Sequence, residues 1–153
     1  MKRLIIALMA LGALLPCSLF ADEAVDEFKK AVAGLKAETD AFEKKTKEDP
    51  MFGFAGFGAL VEKIKAVDSD DLPADLKAPW AGFVASLEKM AVAIGEMPKD
   101  KAELEKKFND AAFMEAFGKK MNGIAEEMKP HVEKLKAAGA KYGITGLEEL
   151  APK

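Results

Sequence analysis

Apolar residues recur along most of the chain at alternating spacings of three and four positions. This spacing places them on one face of an α-helix, whereas lysine and glutamate occupy the other faces. The pattern predicts four long amphipathic helices, and no valine- or isoleucine-rich alternating segment indicates a β-sheet. The apolar-face positions are Val25, Phe28, Val32, Leu35, Thr39 and Phe42, then Phe54, Phe57, Val61 and Ile64, then Leu76, Trp80, Phe83, Leu87, Met90, Ile94 and Met97, then Phe113, Phe117, Met121, Ile124, Met128, His131, Leu135 and Ala138.

Acidic residues and prolines mark the limits of the predicted helices. Asp49 can cap the helix that begins at Pro50, because a carboxylate accepts hydrogen bonds from the free N–H groups of a first turn. We expect a first helix over about 22–48, a second from Pro50 to near Val67, and a third from Pro73 or Pro79 to Pro98. A short helix should run from Asp100 through Phe108, and a longer one from Asp110 to Gly139 or Gly143. A terminal turn should pass through Leu147 and Leu150. Pro130 should kink or divide the last long helix.

Long amphipathic segments joined by short loops bury their apolar faces most simply as a bundle. We therefore predict an all-α fold, an antiparallel bundle of about four long helices with short connecting helices. An average spacing of about 3.5 residues also permits an extended or dimeric coiled coil. The spacing leaves both arrangements open.

The first residues have the organisation of a secretory signal peptide. Lys2 and Arg3 precede an apolar run over 4–15, and Ala21 offers a small residue for cleavage before Asp22. The leader predicts export to the periplasm or to the outside of a bacterial cell. It also contains the one cysteine and the one arginine of the chain.

Cys17 permits a different processing route. The residues before it loosely resemble the cleavage site of a bacterial lipoprotein, in which the cysteine accepts the lipid. Pro16 departs from the small residue usual at that place. A lipid anchor on Cys17 is therefore the alternative to cleavage at residue 21.

We divide the chain into a cleaved leader, residues 1–21, and a single helical domain, residues 22–153. Loss of the leader removes two basic residues and moves the net charge from −3 to −5, with lysine as the one basic type left. Negative charge without arginine argues against nucleic acid, whose phosphates need a basic face. We expect the partner to be another protein or a second copy of the chain.

Few residues suited to catalysis remain in the domain, which has one histidine, two serines and no cysteine. Neither Ser69 nor Ser86 lies in the strand-to-helix turn of an activated serine. The acidic run at 68–71 lacks the ligand spacing of a calcium loop. We expect no enzymatic activity, no metal and no cofactor, but a binding or structural role.

His131 is the residue with the clearest chemical potential, since it lies on an apolar face between Met128 and Leu135. One hypothesis is a site for haem or a small apolar molecule formed by His131, Trp80 and Met128. The other is a boundary histidine that caps carbonyl groups left unpaired by Pro130.

In overall shape the predicted fold resembles the cytochrome b562-type bundles, in which a methionine and a histidine on the outer helices hold haem. The resemblance implies haem ligation by His131 opposite a methionine of another helix. The first predicted helix departs from that pattern because residues 22–48 contain no methionine. The Cys-x-x-Cys-His motif for covalent attachment is absent too.

Residues 51–58 combine three phenylalanines with three glycines, and the phenylalanines face several sides of the predicted helix. One hypothesis is that Phe52, Phe54 and Phe57 contact a membrane or a partner protein. The alternative is close packing within the fold, in which the glycines admit a neighbouring helix and the rings fill one end of the core.

Overall fold

The structure, a computed structural model, describes residues 16–150, and its regular elements there are all helical. They are α1 (Pro16–Glu48), α2 (Pro50–Lys65), α3 (Ala74–Gly95), α4 (Lys101–Phe108), α5 (Ala111–Tyr142) and a 3-10 helix (Leu147–Leu150). Most of the predicted signal peptide, residues 1–15, lies outside the described residues. Export and lipidation at Cys17 therefore stay predictions.

Three aspartates cap helices at the places that the sequence predicts. The Oδ1 atom of Asp49 accepts a hydrogen bond from the Met51 N–H at 3.0 Å, and Asp100 accepts one from the Glu103 N–H at 3.0 Å. Asp110 accepts from two successive N–H groups at the start of α5, at 3.0 and 3.1 Å. Each such cap stabilises a helix by about 1 kcal/mol and fixes where it begins.

Two prolines lie inside helices rather than at their ends. Of the two predicted starts of α3, the earlier is correct, and Pro79 lies within the helix. Pro130 does not divide α5, which continues from Ala111 to Tyr142. Met128 and Leu135, on either side of Pro130, are buried in the same core. Their burial holds both halves in one helix although the proline removes a backbone hydrogen bond.

Two other helix limits differ from the predicted ones. The described part of helix α1 begins at Pro16, upstream of the predicted start at residue 22. Helix α2 ends at Lys65 rather than near Val67, because a turn at Ala66 leads into the polar loop.

An aromatic group forms the centre of the core. The rings of Phe28 and Trp80 meet edge to face with centroids 4.9 Å apart, and Phe83 lies 5.6 Å from Trp80. All three side chains are at most 2% exposed. Such pairs contribute about 0.5–1.5 kcal/mol beyond the burial of their area. They join α1 to α3.

The long helices pack in chain order, α1 on α2, α2 on α3, and α3 on α5 beyond the short α4, the last contact being the most extensive. Helix α4 lies on α5, and the 3-10 helix contacts both α1 and α5. Surface ion pairs cross the first two of these contacts, Lys63 with Glu38 at 2.6 Å and Lys65 with Glu88 at 2.5 Å, and others cross the third. The expected all-helical, bundle-like organisation is confirmed.

None of the described helices has a stretch long and apolar enough to span a membrane.

Candidate functional site

His131 packs against the backbone of α3 at Gly82. A Cβ atom at Gly82 would lie 2.7 Å from Cγ of His131, and closer still to its Cε1 and Nδ1 atoms. Real Cβ atoms do not approach other atoms so closely, so a glycine is needed at this contact. The imidazole is half-buried and fills the space that a side chain at residue 82 would take.

A groove of about 560 Å³ runs beside His131 between α3 and α5. Its walls include the small residues Ala78 and Ala138, and its rim carries Lys134. Trp80 and Met128 do not line this groove but lie in the core, 2% and 4% exposed. The structure therefore does not bring the three predicted ligand-binding residues to one cavity.

Asp75 and Lys141, which also line this groove, belong to a polar cluster. Lys141 donates a hydrogen bond to Oδ2 of Asp75 at 2.7 Å, and the Tyr142 hydroxyl donates to Oδ1 at 2.9 Å. These two bonds, chiefly that of Lys141, lower the pKa of Asp75. The bond to Asp75 raises the pKa of Lys141 to about 12. The cluster ties the start of α3 to the end of α5.

Phe52, Phe54 and Phe57 are half-buried in contacts with other helices. The rings of Phe52 and Phe57 lie 5.7 and 6.3 Å from that of Phe42 on α1. Phe54 lies 5.4 Å from Phe108 on α4. The three rings thus face different neighbours, which explains why they do not share one side of α2.

Two glycines between these rings bring α2 close to α1. A Cβ at Gly53 would lie 2.6 Å from Cγ2 of Thr46, and one at Gly56 would lie 3.1 Å from the ring of Phe42. The geometry is that of close helix packing, in which glycine admits the neighbouring helix.

A second space opens beside this contact, and we call it the α1–α3 cavity. It measures about 520 Å³ and lies between α1, α2 and α3, with one wall contributed by Leu150 of the 3-10 helix. The lining is mainly apolar and aromatic. It consists of Thr39, Phe42, Glu43, Thr46, Lys47, Gly53, Phe54, Phe57, Leu60, Ile64, Leu87, Ile94 and Leu150.

The cavity has few polar groups, and most of them form an ion pair or a hydrogen bond. Lys47 and Glu43 form an ion pair at 4.0 Å, which leaves their combined charge neutral. The Thr39 hydroxyl donates a hydrogen bond to the Leu35 carbonyl at 3.0 Å. The Thr46 hydroxyl oxygen is buried and has no hydrogen-bond partner in the described part of the chain. The cavity therefore offers an apolar surface without net charge.

Sequence reasoning missed this cavity, because its lining has almost no chemically distinctive residue. The available signal was the pair Gly53 and Gly56, which mark a close helix contact in a segment rich in phenylalanine. Over the described range 16–150, no group of three histidine, cysteine, aspartate or glutamate residues is placed to hold a metal ion.

Comparison of the chain with protein-family models, with curated proteins and with solved structures gave no match.

Proposed function

We propose that this chain is an exported, non-catalytic binding protein, an antiparallel helical bundle that holds a small apolar molecule in the α1–α3 cavity. The observation that carries the proposal is the cavity itself, about 520 Å³ with a mainly apolar lining. Pockets for small molecules commonly measure about 300–1,000 Å³ and combine hydrophobic walls with a few polar groups.

The lining favours an uncharged ligand. Phe57 and Ile94 present apolar surface, whereas the charges of Glu43 and Lys47 offset each other. Burial of apolar ligand surface contributes about 25 cal/mol per Å², so a molecule that fills the cavity gains affinity without a specific charge contact.

The order of ion pairs across α3 and α5 supports the antiparallel arrangement. Asp75 pairs with Lys141, and Glu96, just beyond α3, pairs with Lys120. The earlier residue on the α3 side thus pairs with the later residue of α5, as expected for antiparallel helices. The short connections elsewhere in the chain favour the same arrangement for the remaining long helices.

The proposal places the ligand away from His131. The imidazole covers Gly82, and the groove beside it excludes both Trp80 and Met128. The three residues of the predicted haem or ligand site therefore do not share one cavity. The export part of the proposal rests on the leader, residues 1–21.

Titration with N-phenyl-1-naphthylamine, an uncharged apolar fluorophore, tests the proposal. We expect saturable binding with one site per chain. Ile94→Trp places an indole in the cavity and should weaken binding at least tenfold. Ala85→Trp is the matched control, since it adds the same side chain at an exposed position of the same helix. Absence of saturable binding, or equal affinity of both variants, would contradict the proposal.

Native mass spectrometry of protein recovered from an exporting host gives a second readout. A retained small molecule that is lost in Ile94→Trp and kept in Ala85→Trp would support the cavity as its site. A stoichiometric cofactor retained equally by both variants would contradict it.

A further inference from the structure

A second apolar space adjoins the α1–α3 cavity, and we call it the α2–α3 groove. It measures about 350 Å³ and lies between the first half of α2 and the end of α3. Every residue of its lining except Lys99 is apolar or glycine. The groove is thus a further surface on which an apolar molecule can lie.

Phe54 on α2 and Ile94 on α3 line both spaces. Each of these side chains is half-buried, so each keeps part of its apolar surface accessible. Both spaces are open to solvent. A ligand that extends over Phe54 and Ile94 therefore passes from the cavity to the groove without leaving apolar surface.

Small residues keep the α2–α3 groove free of side chains. A Cβ atom at Gly58 on α2, or at Gly95 on α3, would meet no atom within 4 Å among the described residues. Ala55 and Ala91 add only a methyl group each to the lining. The groove therefore runs close to the backbones of both helices, a shape that suits a slender ligand better than a branched one.

The charges in the two spaces differ. Lys99 lines the groove, is exposed and forms no ion pair or hydrogen bond in the described part of the chain. In the α1–α3 cavity the charge of Lys47 is offset by Glu43 at 4.0 Å. An ammonium group donates hydrogen bonds and accepts none, so Lys99 suits an oxygen atom at the end of a ligand.

We propose that the ligand is a long, unbranched hydrocarbon chain with one polar end. The hydrocarbon fills the α1–α3 cavity and crosses Phe54 and Ile94 into the α2–α3 groove, where the polar end meets Lys99. This inference rests on the proposed function and names its class of ligand. A compact molecule occupies one space only, whereas an unbranched hydrocarbon buries apolar surface in both and gains affinity with its length.

Displacement of bound N-phenyl-1-naphthylamine by octan-1-ol, decan-1-ol, dodecan-1-ol and tetradecan-1-ol tests the inference. Because each buried methylene removes apolar area from water, affinity should rise by up to about fourfold per methylene through the whole series. An affinity that stops rising at octan-1-ol would overturn the inference, since the α1–α3 cavity alone would then hold the ligand.

Gly58→Phe fills the passage between the two spaces. A helical side chain leans toward the N-terminus over the preceding turn, which here contains Phe54 and Ala55 of the groove lining. The space at Gly58 is open, so the variant should fold. The affinity for tetradecan-1-ol should fall at least about tenfold, because several methylenes lose their contacts. Adamantan-1-ol, a compact cage with the carbon number of decan-1-ol, should bind within about twofold of its wild-type affinity.

Gly34→Phe is the matched control. It adds the same ring at an exposed glycine of α1 that also has open space around it and lines neither the cavity nor the groove. Its affinities should follow the wild type for every alcohol. Gly95→Phe fills the groove from α3 and should repeat the effect of Gly58→Phe.

Lys99→Met tests where the polar end lies. It should weaken binding of tetradecan-1-ol about threefold, because the hydroxyl loses its charged donor. Lys101→Met is the control, since Lys101 is also exposed but lines neither space. Equal affinities of the two variants would overturn the placement of the polar end at Lys99.

The outcomes separate the elongated ligand from the proposed function. Saturable binding of N-phenyl-1-naphthylamine, with affinities for the alcohols that Gly58→Phe and Gly95→Phe leave unchanged, would overturn the elongated ligand and keep the cavity as the binding site. Absence of saturable binding of the fluorophore would overturn both.

Discussion

The imidazole of His131 on α5 lies against the backbone of Gly82 on α3. Gly82 belongs to a series with a spacing of seven residues, Asp75, Gly82, Lys89 and Glu96. The other three members each form an ion pair with α5. At Gly82 the helices meet through the packing of the His131 ring on the α3 backbone rather than through an ion pair, and a glycine leaves room for that ring.

Gly82→Ala should therefore destabilise the protein, although alanine is the better helix former by about 1 kcal/mol. The added Cβ overlaps the His131 ring and forces it to move, which costs typically about 1–3 kcal/mol in a packed contact. We expect a net loss of up to about 2 kcal/mol in the free energy of unfolding, measured by urea denaturation.

Gly34→Ala provides the matched control for this substitution. A Cβ at Gly34, in α1, meets no atom within 4 Å among the described residues. It should stabilise by about 0.5–1 kcal/mol. The double variant Gly82→Ala with His131→Ala should lose less than the sum of the single losses, since removal of the ring relieves the overlap. Additive losses would show that His131 is not the obstacle.

Asp75 should contribute to stability in a pH-dependent way. Its pKa is lowered from 3.8 by the hydrogen bond from Lys141, so the folded state binds fewer protons than the unfolded state. The contribution is therefore complete above pH 3.8 and is lost as the pH falls through the lowered pKa. Asp75→Asn should show a shallower loss of stability over this acid range. Urea denaturation at a series of pH values measures it.

Asp40→Asn is the control for that experiment, because it removes one exposed carboxylate from α1 and leaves the cluster at Asp75 intact. Its stability should follow the wild-type pH dependence.

At alkaline pH the contribution of Lys141 to stability changes with pH in the opposite direction. The pKa of Lys141 is raised to about 12, so its contribution is complete below 10.5 and is lost as the pH rises through about 12.

Phe54 and Phe108 should be coupled energetically if the aromatic contact stabilises the fold. Their centroids lie 5.4 Å apart across α2 and α4. A double-mutant cycle with alanine should give a coupling of about 0.5–1.5 kcal/mol. Phe54 with Phe113, which share no ring contact in the described residues, should give a coupling near zero and serves as the reference pair.

Liposome flotation tests the competing hypothesis for the same segment. If residues 51–58 bind membranes, the wild type floats with the liposomes, and Phe54→Asp plus Phe57→Asp should abolish flotation. The contacts of these rings with Phe42 and Phe108 lead us to expect no flotation of either protein.

The helices were more predictable than the sites. Caps such as Asp49 and Asp110 follow from local chemistry, so the sequence locates them to the residue. Pro130 did not divide α5, because burial of its neighbours outweighs a rule based on one lost hydrogen bond. The fit of His131 on Gly82 joins residues 49 positions apart in the chain, and no periodic pattern records such a pairing.

The leader predicts the mass of the mature protein. Cleavage after Ala21 would leave an N-terminal Asp22 and a chain with neither cysteine nor arginine. Processing before Cys17 would instead leave a longer chain with lipid on its first residue. Intact-mass measurement after expression in an exporting host should give the Asp22 product, and Cys17→Ser should leave that mass unchanged. A mass that includes lipid in the wild type, and loses it in Cys17→Ser, would establish the anchored form instead.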